Sequence, residues 1–228
     1  MTLDVGRAIE LSLTVGVLAS LVGLVPAGAL GWLLARKEFR GKALLTSLAM
    51  VPLVLPPVVT GLLLLHLFGR ASPVGAAMAA VGWPVPFTQT GAVLAAVVVG
   101  FPLYVLTIRT AIEAVDVRYE DVSASLGVPP ARTFWRVTAP LALPGLAAGV
   151  VLAFARGLGE FGATAVIAGN MEGRTRTIAL AVYSLLDAPQ DDPRVVTLVM
   201  ASLVLAMGSL VAWEGLNRWQ RRRLELDV

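Results

Sequence analysis

The chain has no cysteine, a single histidine, and charge on only 14% of its 228 residues. Without cysteine there is neither a disulfide framework nor a thiolate metal site. The histidine, His66 in LLLLHLF, reads as a helix-end residue near an interface. A globular domain carries roughly 25% charged residues, so this chain is too poor in charge to cover a water-soluble surface. Also missing is any G-x-x-x-x-G-K-[ST]: Gly41-Lys42 lacks both the upstream glycine and the following hydroxyl. The chain therefore has no phosphate-cradling loop and hydrolyses no nucleotide itself. It is not expected to be an enzyme.

In place of charge there is hydrocarbon: 57% of residues are hydrophobic and mean hydropathy is +0.81. A helix rises ~1.5 Å per residue, so crossing ~30 Å of hydrocarbon takes about 20 uncharged residues. Leu11 to Ala35 and Ala43 to Gly69 are free of charge, as are Val137 to Ala155 and Val195 to Trp213. Ala71 to Ile108 is also uncharged, but Pro73 and Trp83-Pro84-Val85-Pro86 interrupt it, leaving a crossing from about Thr90. Five crossings are expected. The first is too long, and too acidic at its flanks (Asp4, Glu10), for a cleaved signal peptide. Val74 to Trp83, and Thr177 to Leu186 between Arg176 and Asp187, read as short interfacial or re-entrant helices, with Thr177 as N-cap of the second. A sixth crossing arises if the latter pairs with part of Gly157 to Gly169.

Twelve of the eighteen Lys and Arg residues fall on one set of connections: Arg36 to Lys42, Arg109 to Arg136, and Arg218 to Arg223. The positive-inside rule puts these in the cytoplasm, with the N-terminus outside and the C-terminus inside. The tail Arg218 to Arg223 then reads as an anchor on anionic lipid rather than a nucleic-acid patch.

Two spans break local rules. Pro52, Pro56 and Pro57 delete three backbone donors in VPLVLPPVVTG, just before Thr60 and Gly61. This is either a kink that shapes packing or the bent wall of a pathway. Gly145 to Gly149, GLAAG, is a small-residue face for close helix approach. Beyond it Arg156 and Glu160, four apart, form either a self-neutralising pair or a substrate contact, and Thr164 adds a hydroxyl. Gly157, Gly159 and Gly162 spell G-x-G-x-x-G, but after a membrane helix rather than a strand, so no dinucleotide site is expected.

Between Arg109 and about Ala139 lies the longest polar connection. Val115, Tyr119, Val122 and Leu126 repeat at helical spacing, with Glu120 and Asp121 off that face. Gly127 is placed to end the helix in a left-handed turn, Pro129-Pro130 prevents continuation, and Pro130 opens a second helix carrying Phe134 and Trp135. Such an element either lies on the surface as a linker or inserts into a partner's groove.

The stretch DVSASLGVPPARTFWRVTAP resembles the loop signature of binding-protein-dependent ABC importer permeases: E-A-A, three residues, G, nine residues, I, one residue, L-P. Asp121 stands in the acidic place, and Gly127 and Pro140 match. Val122 and Ser123 replace the two alanines, Val137 the isoleucine and Ala139 the leucine. FRGKALLTSLAMVPLVLPPVVTGLLLL, VLAFARGLGEFGAT and RTRTIALAVYSLL resemble the oxyanion branch of that family, and its molybdate type in particular. The resemblance implies a single all-α domain over residues 1–228, the MetI-like ABC importer transmembrane domain of about five to six helices, with a coupling loop at about 113–139. It implies ATPase-coupling residues at Glu120, Asp121, Ser123, Leu126, Gly127, Val128 and Pro140, and a pathway past Pro56, Pro57, Thr60, Arg156, Glu160 and Thr164. It further implies a homodimer in a bacterial or archaeal cell membrane, two ABC ATPase subunits that hold ATP and Mg, and an extracytoplasmic molybdate-binding protein. No cofactor, metal or nucleic acid is expected on this chain. Sulfate is the alternative cargo within the family, and a secondary transporter is the alternative outside it.

Overall fold

The computed structural model describes residues 4–186 and 192–226, and every regular element among them is helical. Helix α1, Val5–Arg36, starts where Asp4 accepts the Arg7 N–H (2.9 Å) and stops at Lys37, whose backbone is extended. At ~1.5 Å per residue its 32 residues span ~48 Å, more than a bilayer's hydrocarbon. Its buried face is mostly small, with Gly16, Ala19, Gly23, Ala27 and Gly31 among its members. Those residues let two neighbours come close: α5, Gln89–Glu113, and α8, Ala139–Leu158. A Cβ on Gly16 would lie 2.9 Å from the Phe154 ring, and one on Gly31 2.8 Å from Ile108. Helix α5 is the central strut, with α1 and α8 against it; α11, Pro193–Leu226, lies along α8.

The second expected crossing is not one helix. Helix α2, Lys42–Val54, and α3, Pro57–Phe68, meet at an angle of 111°. Leu55 and Pro56, each preceding a proline, are both extended, as the ring of a following proline demands. Pro56 and Pro57 also supply no N–H to continue the ladder, whereas Pro52 sits inside α2 without ending it. The pair still links the two ends of the bundle. Leu45 and Met50 pack with Leu34 and Ile112 at one end, and Phe68 and Arg70 share a hollow with Met171 and Arg174 at the other. Among the described residues four helical stretches are long and apolar enough to cross a membrane, and the bent pair makes a fifth when taken as one span.

The second loop helix opens at Pro130 as expected and runs on into the next span. Helix α7, Pro130–Thr133, runs through a widened turn, Phe134–Thr138, into α8, so one helical rod covers residues 130–158. In that turn the Ala139 N–H reaches back five residues to Phe134. The widening falls just before Pro140, which has no N–H to donate to Arg136.

Both short segments are helical: α4, Pro73–Ala80, capped by the Ser72 hydroxyl, and α10, Ile178–Ser184. Thr177 occupies the N-cap position of α10, but its side chain makes no capping bond and its buried Oγ1 has no partner among the described residues. Ser12 of α1 caps α10 instead, accepting the Ile178 N–H at 2.7 Å. Asp187, the expected boundary of this segment, lies outside the described residues. The basic tail is also less free than expected. It continues α11, and buried Gln220 donates to the Ala111 carbonyl (3.2 Å) in the space left by Gly145.

Candidate functional site

The loop signature folds as helix α6, Arg118–Ser125, closed by Gly127 at φ +76°. The Gly127 N–H reaches Ala124 and the Val128 N–H reaches Ser123, so the last carbonyls of the helix are satisfied. Two bonds anchor this helix to the spans, and a third anchors the turn that leads into it. Arg36, at the end of α1, donates Nε to Glu120 Oε1 (2.9 Å) and Nη2 to the Val115 carbonyl (2.8 Å). Thr138, in the widened turn, donates its hydroxyl to the same Glu120 oxygen at 2.8 Å. Below them Ser123 and Thr133 share a buried hydroxyl–hydroxyl bond of 2.7 Å. Trp32 meets Phe134 edge-on at 6.1 Å.

This arrangement sorts the sequence-predicted coupling residues into two groups. Glu120 and Ser123 turn inward and hold the helix, so they are positioning residues. Asp121, Leu126, Gly127 and Pro140 are exposed, and Val128 is half-buried. The single apolar face expected from Val115 to Leu126 is divided. Val115 belongs to the core because α6 begins only after it, at Arg118, while Val122 (60% exposed) and Leu126 (75%) face out with Val117 (50%). An apolar tip therefore projects from the polar end of a membrane bundle.

The second cluster lies between α3 and the break after α8. Glu160 is buried, pairs with Arg156 (Nη1 to Oε2, 3.0 Å), and accepts the Ala163 N–H on its other oxygen (2.9 Å). It thereby caps α9, Gly162–Ile167. Of the two readings open in the sequence, pairing is the one this geometry realises. Helices α3 and α9 touch backbone to backbone. A Cβ on Gly61 would sit 2.8 Å from the Ala163 Cα and carbonyl oxygen, and one on Gly162 would sit 3.0 Å from Pro57. Buried Thr60 of α3 and buried Thr164 of α9 thus lie on helices packed together, with Glu160 and Arg156 just before α9; Pro56 and Pro57 are exposed at the bend. Thr60 is buried at 4% exposure, and its Oγ1 has no partner among the described residues. A buried hydroxyl without a partner costs about 1–3 kcal/mol.

At the opposite end of the bundle from α6, the start of α1 holds the 170s loop. The Asp4 N–H donates to Glu172 (3.3 Å) and Arg7 Nε to the Gly173 carbonyl (3.2 Å). Sequence reasoning missed the Arg36–Glu120 bond, the Ser12 cap and the bond from buried Tyr104 to the Ser20 carbonyl (3.1 Å). Their partners lie 84 to 166 positions apart, and no local pattern announces such pairs.

Residues 27–225 match the family described as "Binding-protein-dependent transport system inner membrane component". The chain is 47% identical to the molybdenum transport system permease protein ModB of Escherichia coli K12, and 43% to that of Haemophilus influenzae, each over 95% of both chains. It is 38% identical to a probable molybdenum ABC transporter permease of Haloferax volcanii, covering 92% of this chain and 75% of that one. Among solved structures, a chain of the MetNI methionine ABC transporter superposes with a TM-score of 0.66 at 17% identity, over 95% of this chain and 94% of the other. That likeness speaks for the fold alone.

Proposed function

Because the chain belongs to the binding-protein-dependent transport system inner membrane components, and among them to the molybdenum transport permeases, we propose that it forms the pathway of an ATP-driven importer bringing molybdate, or tungstate, into the cytoplasm. Two copies pair in the membrane, two ATPase subunits grip their α6 helices, and an extracytoplasmic molybdate-binding protein delivers the anion. ATP and Mg belong to the ATPases.

The observation that carries this reading is the outward apolar tip of α6, braced from behind by Arg36 and Thr138. Bare valine and leucine at the aqueous end of a membrane bundle call for a partner's groove to bury them. The brace gives a displacement of α6 two direct routes, through Arg36 into α1 and through Thr138 into α8. Both rods run the length of the bundle, so closure of the ATPases rocks each permease between outward- and inward-open arrangements whose balance nucleotide shifts. The concentration of basic residues at the α6 end supports its placement in the cytoplasm.

A tetrahedral dianion on this route meets hydroxyls such as that of Thr60, and Arg156 with its charge largely answered by Glu160. Contacts of that strength allow entry without trapping the ion. A secondary transporter needs a free carboxylate or similar group to bind its coupling ion. Glu160 has both oxygens engaged, which speaks against that alternative.

The test is uptake of labelled molybdate into vesicles holding this chain and its ATPases, with tungstate and sulfate as competitors. ATP-dependent uptake displaced by tungstate and not by sulfate is expected. Uptake driven by an ion gradient without ATPases would overturn the reading, and equal displacement by sulfate would overturn the cargo.

A further inference from the structure

Beside α1, at the α6 end, lies an open crevice of about 650 Å³ with an almost wholly apolar lining, whose walls include Leu24, Val25, Gly28, Trp32, Phe134 and Trp135. We propose that it is a binding site for an anionic phospholipid, with an acyl chain in the crevice and the headgroup among Lys37, Arg132 and Arg136.

Dimensions favour an acyl chain. Leu24 lies twelve residues, ~18 Å, and Trp32 four residues, ~6 Å, before the end of α1 at Arg36. The crevice therefore runs through roughly one leaflet of a ~30 Å hydrocarbon layer and stops where the helix end reaches water. Its lip opens sideways: Val25 is 75% and Trp135 73% exposed, and no residue of the described chain covers either.

Charge favours an anionic headgroup. Trp32 and Trp135 mark interface depth, as amphipathic rings do, and Lys37 Nζ lies 5.8 Å from the Trp32 ring centroid. Arg132 and Arg136, four apart in the helical segment, flank the lining residues Ala131 and Trp135 and are exposed. None of these three cations forms an ion pair among the described residues. Of the nearby acids, Glu120 is paired with Arg36 and Glu38 with Lys42, while Asp121 lines the adjoining hollow together with Lys37. Arg132 and Arg136 beside the mouth of a leaflet-deep apolar slot, with Lys37 against Trp32, match a phosphate headgroup above an acyl tail.

Bromine-labelled acyl chains quench nearby tryptophan, which gives the test. The chain with its ATPases is reconstituted in phosphatidylcholine vesicles containing increasing fractions of brominated phosphatidylglycerol or, separately, brominated phosphatidylcholine. The signal of Trp32 and Trp135 is isolated as the difference from a Trp32→Phe/Trp135→Phe variant. Half-quenching is expected at a phosphatidylglycerol fraction at least about fivefold lower than for phosphatidylcholine, the preference one nearby Lys or Arg confers. That preference should vanish in Lys37→Gln/Arg132→Gln/Arg136→Gln. Equal quenching by the two lipids in the unaltered protein would mean ordinary boundary lipid and overturn the proposal. No quenching of this pair by either lipid would mean that protein, a second copy or an ATPase, covers the crevice. A preference that survives the triple variant would place the headgroup elsewhere and equally sink it.

Discussion

Arg36 Nε lies 2.9 Å from the carboxylate of Glu120, and the two residues, 84 positions apart, tie the end of the first membrane helix to helix α6. Only 9% of the Arg36 side chain and 25% of the Glu120 side chain remain exposed. The contact is therefore shielded better than a surface ion pair, and Thr138 reinforces it from the next rod. The two residues hold α6 at the angle from which Val122 and Leu126 project.

Arg36→Gln and Glu120→Gln should each weaken the brace by about 1.5–3 kcal/mol, the range for a hydrogen bond to a charged group. The assembled complex should keep ATP hydrolysis and lose molybdate uptake per ATP. Comparing hydrolysis and uptake on the same vesicles reads this directly; an unchanged ratio would show that the brace transmits nothing.

Gly127 sits at φ +76° with open space around its Cα, so the cost of a side chain there is in the backbone alone. Gly127→Val should cost roughly 1–3 kcal/mol locally and turn the tip of α6. Co-purification of the ATPases or coupled uptake should fail. Gly127→Asn, which tolerates the left-handed region, should retain most of both.

Thr60→Val removes a buried hydroxyl that has no partner among the described residues while keeping its shape. Thermal stability should stay level or rise by about 1 kcal/mol. If the hydroxyl meets the passing anion, uptake falls severalfold in this stable protein; uptake equal to the parent's removes Thr60 from the pathway.

Glu160→Gln keeps an oxygen for the Ala163 N–H and releases Arg156, whereas Glu160→Ala loses the cap as well. The order of melting temperatures should be parent, then Gln, then Ala. The Ala variant should lose about 1–3 kcal/mol, below the full cost of breaking a buried pair because Arg156 is partly open to its surroundings. Gln and Ala variants melting together would mean that the carboxylate does not cap α9.

Gly61→Ala should separate α3 from α9, since its Cβ would meet the Ala163 backbone, which has no rotamer to yield. Lower yield and a melting point several degrees down are expected in detergent, with Gly208→Ala, whose Cβ would meet nothing within 4 Å, as the neutral control.

Much of this architecture was legible in order along the chain. The four continuous spans follow from uncharged runs, because hydrocarbon penalises every charge whatever the fold. The end of α6 at Gly127 and the start of α7 at Pro130 follow from residues whose backbone freedom is special. The same logic misjudged Ala43 to Gly69. Hydropathy sees 27 apolar residues, but the Pro56-Pro57 pair bends them by 111°. It also counted Val115 with Val122, because periodicity extended a helix across a turn that the backbone makes at Asp116.

The sequence by itself determined that this is a membrane bundle with a short bounded helix, α6, between its spans, since burial of apolar runs and the φ limits of glycine and proline act within a few residues. Only the tertiary structure decided which of those residues work inward and which outward. Glu120 and Asp121 are neighbours of identical charge, yet one holds α1 and α8 while the other faces out. That difference is set by where Arg36 and Thr138 arrive from distant parts of the chain, and the free energy of such long-range partners has no local signature.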